Sequence, residues 1–281
     1  MLIGYSVVLR GTMNKQVDPD SAIPIIERFI TDALRRSGLD GYVVGLSGGV
    51  DSALSATLAT GAVGTEKVFA VLMPYRTSSE SSVPDAMLLV DKLGIRHRVV
   101  DISPMIDAYY PKIDDSNRLR AGNKMSRERM AVLFDIAREM DRLVLGSGNR
   151  SEICLGYTTL YGDSACSVNP LGELYKTEFK QLAKSLGISE KIINKTPSAD
   201  LWIGQTDEGE IGVTYDVIDR LLGRIVDDGV TSLSQLKKEG FDKASIERVV
   251  LRLNQNAFKR RQPDIARLDR PPVPDSVELD A

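Results

Sequence analysis

Apolar and polar positions along the chain alternate in blocks of two kinds. Short apolar runs at 42–46, 68–73, 98–102 and 142–145 have the length and composition of buried strands. Between them, apolar residues recur every three to four positions, which predicts helices over 23–36, from Ser52 to about residue 60, over 85–93 and over 124–140. This alternation predicts parallel βαβ units, hence an α/β fold with a doubly wound parallel sheet and helices on both faces. After residue 176 the pattern is helical only. Phe179, Leu182, Ala183 and Leu186 form one stripe over 177–186. Val217, Ile218, Leu221, Leu222, Ile225 and Val226 form a second, starting from Thr214 as N-cap. Ile246, Val249, Val250, Leu253 and Ala257 form a third, so the C-terminal part is expected to be helical. Residues 16–265 are expected to make one domain. Residues 1–15 read as an N-terminal extension ahead of a second methionine, Met13, and 266–281, with Arg270-Pro271-Pro272-Val273-Pro274, as an extended tail.

Composition narrows the function. The chain has 281 residues, 42% hydrophobic and 27% charged, with a net charge of −3. That balance fits an ordinary globular protein and argues against a nucleic-acid partner, the basic clusters at 96–98 and 259–261 being short. No apolar stretch is long enough to span a membrane, and the first residues lack the pattern of a signal peptide, so a cytoplasmic location is expected. Two cysteines, Cys154 and Cys166, and a single histidine, His97, are too few for a four-ligand Cys/His zinc site. His97 lies in a predicted strand, where a packed or edge position is the expected one.

The chemistry begins at Ser47-Gly48-Gly49-Val50-Asp51-Ser52, directly after the run at 42–46. Paired glycines let the backbone approach an anion and turn N–H groups toward it, and a helix N-terminus follows. No Gly-Lys-Ser/Thr follows the glycines, so this is not a Walker loop. Gly146-Ser147-Gly148-Asn149-Arg150-Ser151-Glu152 follows the run at 142–145 in the same way. Ligands in parallel sheets bind at the carboxyl ends of strands, so the two loops are expected to meet, and Asp51 and Glu152 to share a Mg²⁺ ion. Segment 169–177 brings Lys176 to a helix start, and 196–202 supplies hydroxyls and an acid. The serine-rich stretch 77–84 and the stretch 197–212, with the only tryptophan, Trp202, read as loops that cover the site.

The loop resembles that of the ATP pyrophosphatases, and the ordered set of segments from about Ile23 to Pro263 resembles ammonia-dependent NAD synthetase. The resemblance implies a flavodoxin-like core, a homodimer, and conversion of deamido-NAD, ATP and ammonia into NAD, AMP and pyrophosphate. Carried over by residue, it implies that Gly45, Leu46, Ser47, Gly48, Gly49, Val50, Asp51, Ser52, Ser147, Lys176 and Ser198 bind ATP. Asp51 and Glu152 would hold Mg²⁺, Arg127 and Lys259 would contact deamido-NAD, and Asp51 and Lys176 would be catalytic. Asp207 and Glu208 are candidate proton acceptors for ammonium. The chain departs from the family pattern at Leu160, at Ser164 to Ser167 and at Phe258, which bears on the grip on the nicotinate end. Glutamine-dependent relatives carry an extra amidohydrolase domain, for which no residues are left over, so free ammonia, or ammonia from a separate protein, is the expected nitrogen source. The alternatives are another adenylating pyrophosphatase, of tRNA-thiolating or GMP-synthesising type, and a non-catalytic nucleotide sensor.

Overall fold

In a computed structural model, residues 17–266 and 268 are described. The expected extension at 1–15, and the expected tail apart from residues 266 and 268, lie outside the described residues. The elements run in the order α1 (Pro19–Ser37), β1 (Gly41–Gly45), α2 (Val50–Val63), β2 (Val68–Leu72), α3 (Ser82–Leu93), β3 (Arg96–Val99), α4 (Ser103–Tyr109), α5 (Arg118–Glu139), β4 (Arg142–Leu145) and α6 (Arg150–Leu155). The second half adds α7 (Phe179–Ser185), α8 (Glu190–Ile193), α9 (Asp207–Ile211), α10 (Tyr215–Leu222), α11 (Leu233–Lys238) and α12 (Lys243–Gln255).

The four strands are parallel and ordered β3-β2-β1-β4. The order reverses between β1 and β4, where Val44 lies level with Leu145. Side chains leave a strand on alternate faces, and the strands divide accordingly. Tyr42, Val44, Val68, Ala70 and Leu72 join a core with α1, α2, α3, α7 and α8. Val43, Phe69, Val71 and Val144 join another with α4 and α5. Burial of both faces explains why β1, β2 and β4 read as continuous apolar runs. A third core, built on Leu155, Ile211, Tyr215, Ile218, Leu221, Leu222, Ile246 and Val249, belongs to the C-terminal helices.

Several predicted boundaries move. The strand expected at 98–102 is β3, Arg96–Val99; Val100 and Ile102 still donate to Leu72 and Pro74 carbonyls, but Ile102 is buried at the start of α4. An edge strand needs no apolar run, and His97 is exposed there. α5 starts at Arg118, six residues before its predicted start, because its first turns are polar. The helix expected from Thr214 through Val226 ends as α-helix at Leu222 and continues as a π-helical turn, Gly223–Asp227, which leaves Val226 39% exposed. Thr214 holds the N-cap position without a side-chain cap bond; the Glu208 carboxylate accepts from Tyr215 N instead, at 2.8 Å. Ala257 falls in a 3₁₀ turn after α12. The short helices α4, α6, α8, α9 and α11 carried too few periods to be predicted.

One buried carboxylate ties the C-terminal helices to the sheet. Asp219 of α10 accepts from Ser151 Oγ of α6 at 2.5 Å and from Thr177 N at 2.9 Å, and Ser151 Oγ in turn accepts from Lys176 N at 3.0 Å. Burial raises the Asp219 pKa, with the bonds from Ser151 and Thr177 opposing the rise. Removing this acceptor leaves two buried donors without it. Asp219→Ala should therefore lose about 2–4 kcal/mol in urea unfolding, and Asp219→Asn, which retains one acceptor oxygen, should lose less.

Candidate active site

The site is assembled where the strand order reverses. β1 runs into the loop 46–49 and α2, and β4 into the loop 146–149 and α6. Gly48 has φ +74°, and a Cβ there would lie 2.5 Å from Ser82 O, so only glycine fits against the start of α3. The hydroxyls give the loop its shape. Ser52 Oγ accepts from Ser47 N and donates to Gly49 O, both at 3.2 Å, and Ser47 Oγ accepts from Gly49 N at 3.3 Å. Ser55 of α2, buried, donates to Gly146 O at 2.7 Å and fixes that helix to the second loop.

Asn149 and Glu152 form a capping box at the start of α6: Asn149 Oδ1 accepts from Glu152 N at 2.9 Å, and Glu152 Oε2 accepts from Asn149 N at 3.2 Å. Asn149 Nδ2 donates to Asp51 Oδ1 at 3.0 Å, so a local helix cap also orients the aspartate of the first loop. Lys176 enters from the 3₁₀ turn before α7. Its Nζ pairs closely with Asp51 Oδ2 and lies 4.0 Å from Glu152 Oε1, while its side chain is only 8% exposed. The Phe179 and Tyr215 rings flank the ammonium at 5.7 and 5.6 Å.

The charges in this cluster do not balance. Asp51 and Glu152 flank one lysine, and the Asp207 charge acts on it from farther off. Burial and then the Asp51 charge push Glu152 up to about 8, with Lys176 pulling the other way. Burial opposes the Lys176 charge, but Asp51 and Glu152 outweigh it and its pKa is raised. Burial also raises Asp207, whose carboxylate accepts from the Tyr157 and Tyr215 hydroxyls, each at 3.3 Å. An excess of buried carboxylate oxygen is a place for a cation. Among the described residues no group of three or more potential ligands gathers, so Asp51 and Glu152 alone would leave most positions to phosphate and water oxygens.

These residues open into a cavity of about 1070 Å³. Of the residues singled out in the sequence, Gly45, Leu46, Ser47, Gly49, Val50, Asp51, Ser52, Ser147, Glu152, Lys176, Ser198 and Lys259 line it; Gly48 lies behind the loop. Ser198 Oγ donates to Gln205 O and shapes its own loop. Lys259 Nζ donates to Gly156 O at 2.8 Å and Thr158 O at 2.7 Å; burial lowers its pKa. Asp207 reaches the cavity and Glu208 does not. Arg127 is exposed, donates to Leu160 O at 3.2 Å and does not line the cavity of this single chain. Two residues along, Arg129 does, with Nε on Met73 O at 3.0 Å; burial lowers it to about 10, against the pull of Asp200 and Asp163. The segments expected to cover the site meet: Asp200 accepts from Ser79 N at 3.0 Å and from Ser82 Oγ at 3.0 Å.

Asn149, Arg129, Tyr157 and Tyr215 were not singled out in the sequence. Asn149 had a readable signal, the Asn-x-x-Glu spacing of a capping box. The other three had none, since each owes its position to packing across the chain.

Comparison with known proteins places this geometry in a family. The family model described as NAD synthase matches residues 22–263. The NH(3)-dependent NAD(+) synthetase of Trichlorobacter lovleyi is 46% identical over 240 residues, 85% of this chain and 88% of that protein. Its counterpart in Fusobacterium nucleatum is 44% identical over 242 residues, 86% and 93% of the two chains. Among solved structures, the NH3-dependent NAD synthetase of Campylobacter jejuni superposes with a TM-score of 0.76 at 33% identity, covering 89% of this chain and all (100%) of the other. An NMN synthetase from Francisella tularensis superposes at 0.78 with 31% identity, covering 89% and 99%. With sequence similarity along most of its length and the same backbone arrangement, this chain belongs to the NAD synthase family.

Proposed function

We propose that this enzyme amidates the nicotinate carboxylate of deamido-NAD with ammonia, using ATP and releasing AMP and pyrophosphate. The observation that carries this reading is the buried lysine between two carboxylates beside a glycine-rich loop at the reversal of the sheet. That arrangement suits stabilisation of a departing pyrophosphate. A carboxylate oxygen of deamido-NAD attacks the α-phosphorus of ATP and the bond to the β-phosphate oxygen breaks, leaving an acyl adenylate. Negative charge grows on the leaving pyrophosphate, and the glycine-rich loop, the helix N-terminus that follows it and Lys176 would stabilise it. Ammonia then attacks the acyl carbon, the bond to AMP breaks, and the nitrogen loses a proton.

Ser47 to Ser52 would bind the ATP phosphates, with Gly45, Leu46, Ser147 and Ser198 completing the nucleotide site. Asp51 and Glu152 would hold Mg²⁺, which when bound neutralises phosphate charge and supplies a Lewis acid. Asp207, buried and in the cavity, is the proton acceptor we favour over Glu208, which caps Tyr215. Lys259 would contact deamido-NAD, and so would Arg127 across the interface of a homodimer. The chain would work in the cytoplasm on free ammonia. Among the described residues, no helix is long and apolar enough to cross a membrane.

The direct test is incubation with ATP, Mg²⁺, ammonium and the deamidated dinucleotide, with the deamidated mononucleotide run in parallel because an NMN synthetase shares the fold. NAD formation is expected from the first; pyrophosphate release with no NAD points to another adenylating enzyme, and ATP binding without turnover to a sensor. Asp51→Asn keeps an acceptor for Asn149 but takes the nearest charge partner from buried Lys176, so it should lower the melting temperature and reduce NAD formation to below about one-hundredth of wild type. Lys176→Met fits the apolar walls of Phe179 and Tyr215, and should lower kcat by roughly a hundred- to a thousand-fold in steady-state assays.

A further inference from the structure

A second cation stands on the opposite side of the phosphate loop. Helix α3 starts directly behind Gly48, where a Cβ would lie 2.5 Å from Ser82 O and 3.1 Å from the Asp85 Cβ. Asp85 is 2% exposed. Its Oδ1 lies 2.7 Å from Lys191 Nζ and its Oδ2 3.2 Å from Lys195 Nζ. Lys195 Nζ is also 3.4 Å from Ser82 Oγ. The two lysines differ in setting. Lys191 is largely exposed and does not line the cavity; Lys195 is mostly covered and lines it beside Ser82, Thr196 and Ser198.

The charge count is informative. Asp85 faces two ammonium groups, and a second carboxylate, Asp200, accepts from the Ser82 hydroxyl that lies beside Lys195 Nζ, so the cluster is close to balanced. Burial alone would raise the Asp85 pKa, but the bonds from Lys191 and Lys195 outweigh it and hold the carboxyl below its ordinary range. Asp85 therefore anchors the lysines without cancelling both of them. On the other side of the loop, around Asp51, Glu152 and Asp207, acid is in excess. Of the two lysines on Asp85, Lys195 is the one that lines the cavity, on the α3 side of the loop, with Asp85 holding it from behind.

We infer that Lys195 is a second phosphate-binding cation, contacting the β- and γ-phosphates of ATP and then the leaving pyrophosphate, and that Asp85 is its positioning residue. The inference rests on the ATP-cleaving reading above. Lysine suits this role as a compact point charge on a flexible stem that follows the pyrophosphate as it departs. The carboxylate behind it keeps that stem from wandering into solvent.

The test uses the full chain with Lys195→Met, Lys195→Arg and Asp85→Asn. Magnesium pyrophosphate and AMP are titrated separately into unreacted enzyme by calorimetry, and each is also used as a product inhibitor of NAD formation. Lys195→Met should weaken pyrophosphate by roughly tenfold or more and leave AMP within about twofold. Lys195→Arg should recover most of the loss, and Asp85→Asn should show the same selective loss to a smaller degree. A lower melting temperature with unchanged pyrophosphate affinity would mean that the trio is a structural ion pair and would overturn the inference. Equal weakening of AMP and pyrophosphate would overturn it as well. Calorimetry needs no turnover, so it reads Lys195 whichever carboxylate is activated; absence of NAD formation by wild type strikes the functional reading alone.

Discussion

A buried ammonium group is tolerable only with counter-charge in reach, and the arrangement of this active site follows from how Lys176 obtains it. Asp51 comes from the first turn of α2 after β1, Glu152 from the first turn of α6 after β4, and the lysine from a turn before α7. No two of these are neighbours in sequence. Each is held by a separate local device: the serine-shaped loop for Asp51, the capping box for Glu152, and the Asp219–Ser151 bonds for the Lys176 turn. The cluster therefore also lies beside one of the junctions between the C-terminal helices and the rest of the fold.

The sheet makes this meeting possible. Parallel strands end at the same edge, and an order that reverses between β1 and β4 opens a gap there that no connection crosses. Both loops leave the sheet at that gap. A fifth segment runs alongside as a single bridge from Leu145 to Val168, and the chain then turns into the segment that carries Lys176. Ser55 on Gly146 locks α2 to the second of these loops from below. What the site offers a ligand is thus decided by topology first and by individual side chains second.

This ordering explains what was legible in the sequence. The strands of the buried sheet were legible because burial on both faces forces apolar runs, as at 42–46. The glycine-rich loop at 47–52 was legible because a positive φ and a close backbone approach at Gly48 leave no alternative to glycine. The residues that line the cavity from helices were less so. Arg127 and Arg129 sit two positions apart on α5, on different faces, and periodicity alone does not say which face meets a cavity. Tyr157, just after α6, and Tyr215, at the start of α10, both reach Asp207, and nothing local marks either as its hydrogen-bond donor. The polar first turns of α5 and the π-helical turn after α10 obey tertiary packing more than any pattern in their own windows.

The capping box has a consequence for how the acid at its third position behaves toward a ligand. Glu152 gives one carboxylate oxygen to the start of α6 and faces Lys176 with the other. A free glutamate side chain would surrender most of its rotational freedom on taking hold of a cation. Here that freedom is already gone, removed by helix formation while the protein folds. The side chain is preorganised, so the conformational entropy of ordering it counts against folding and not against binding.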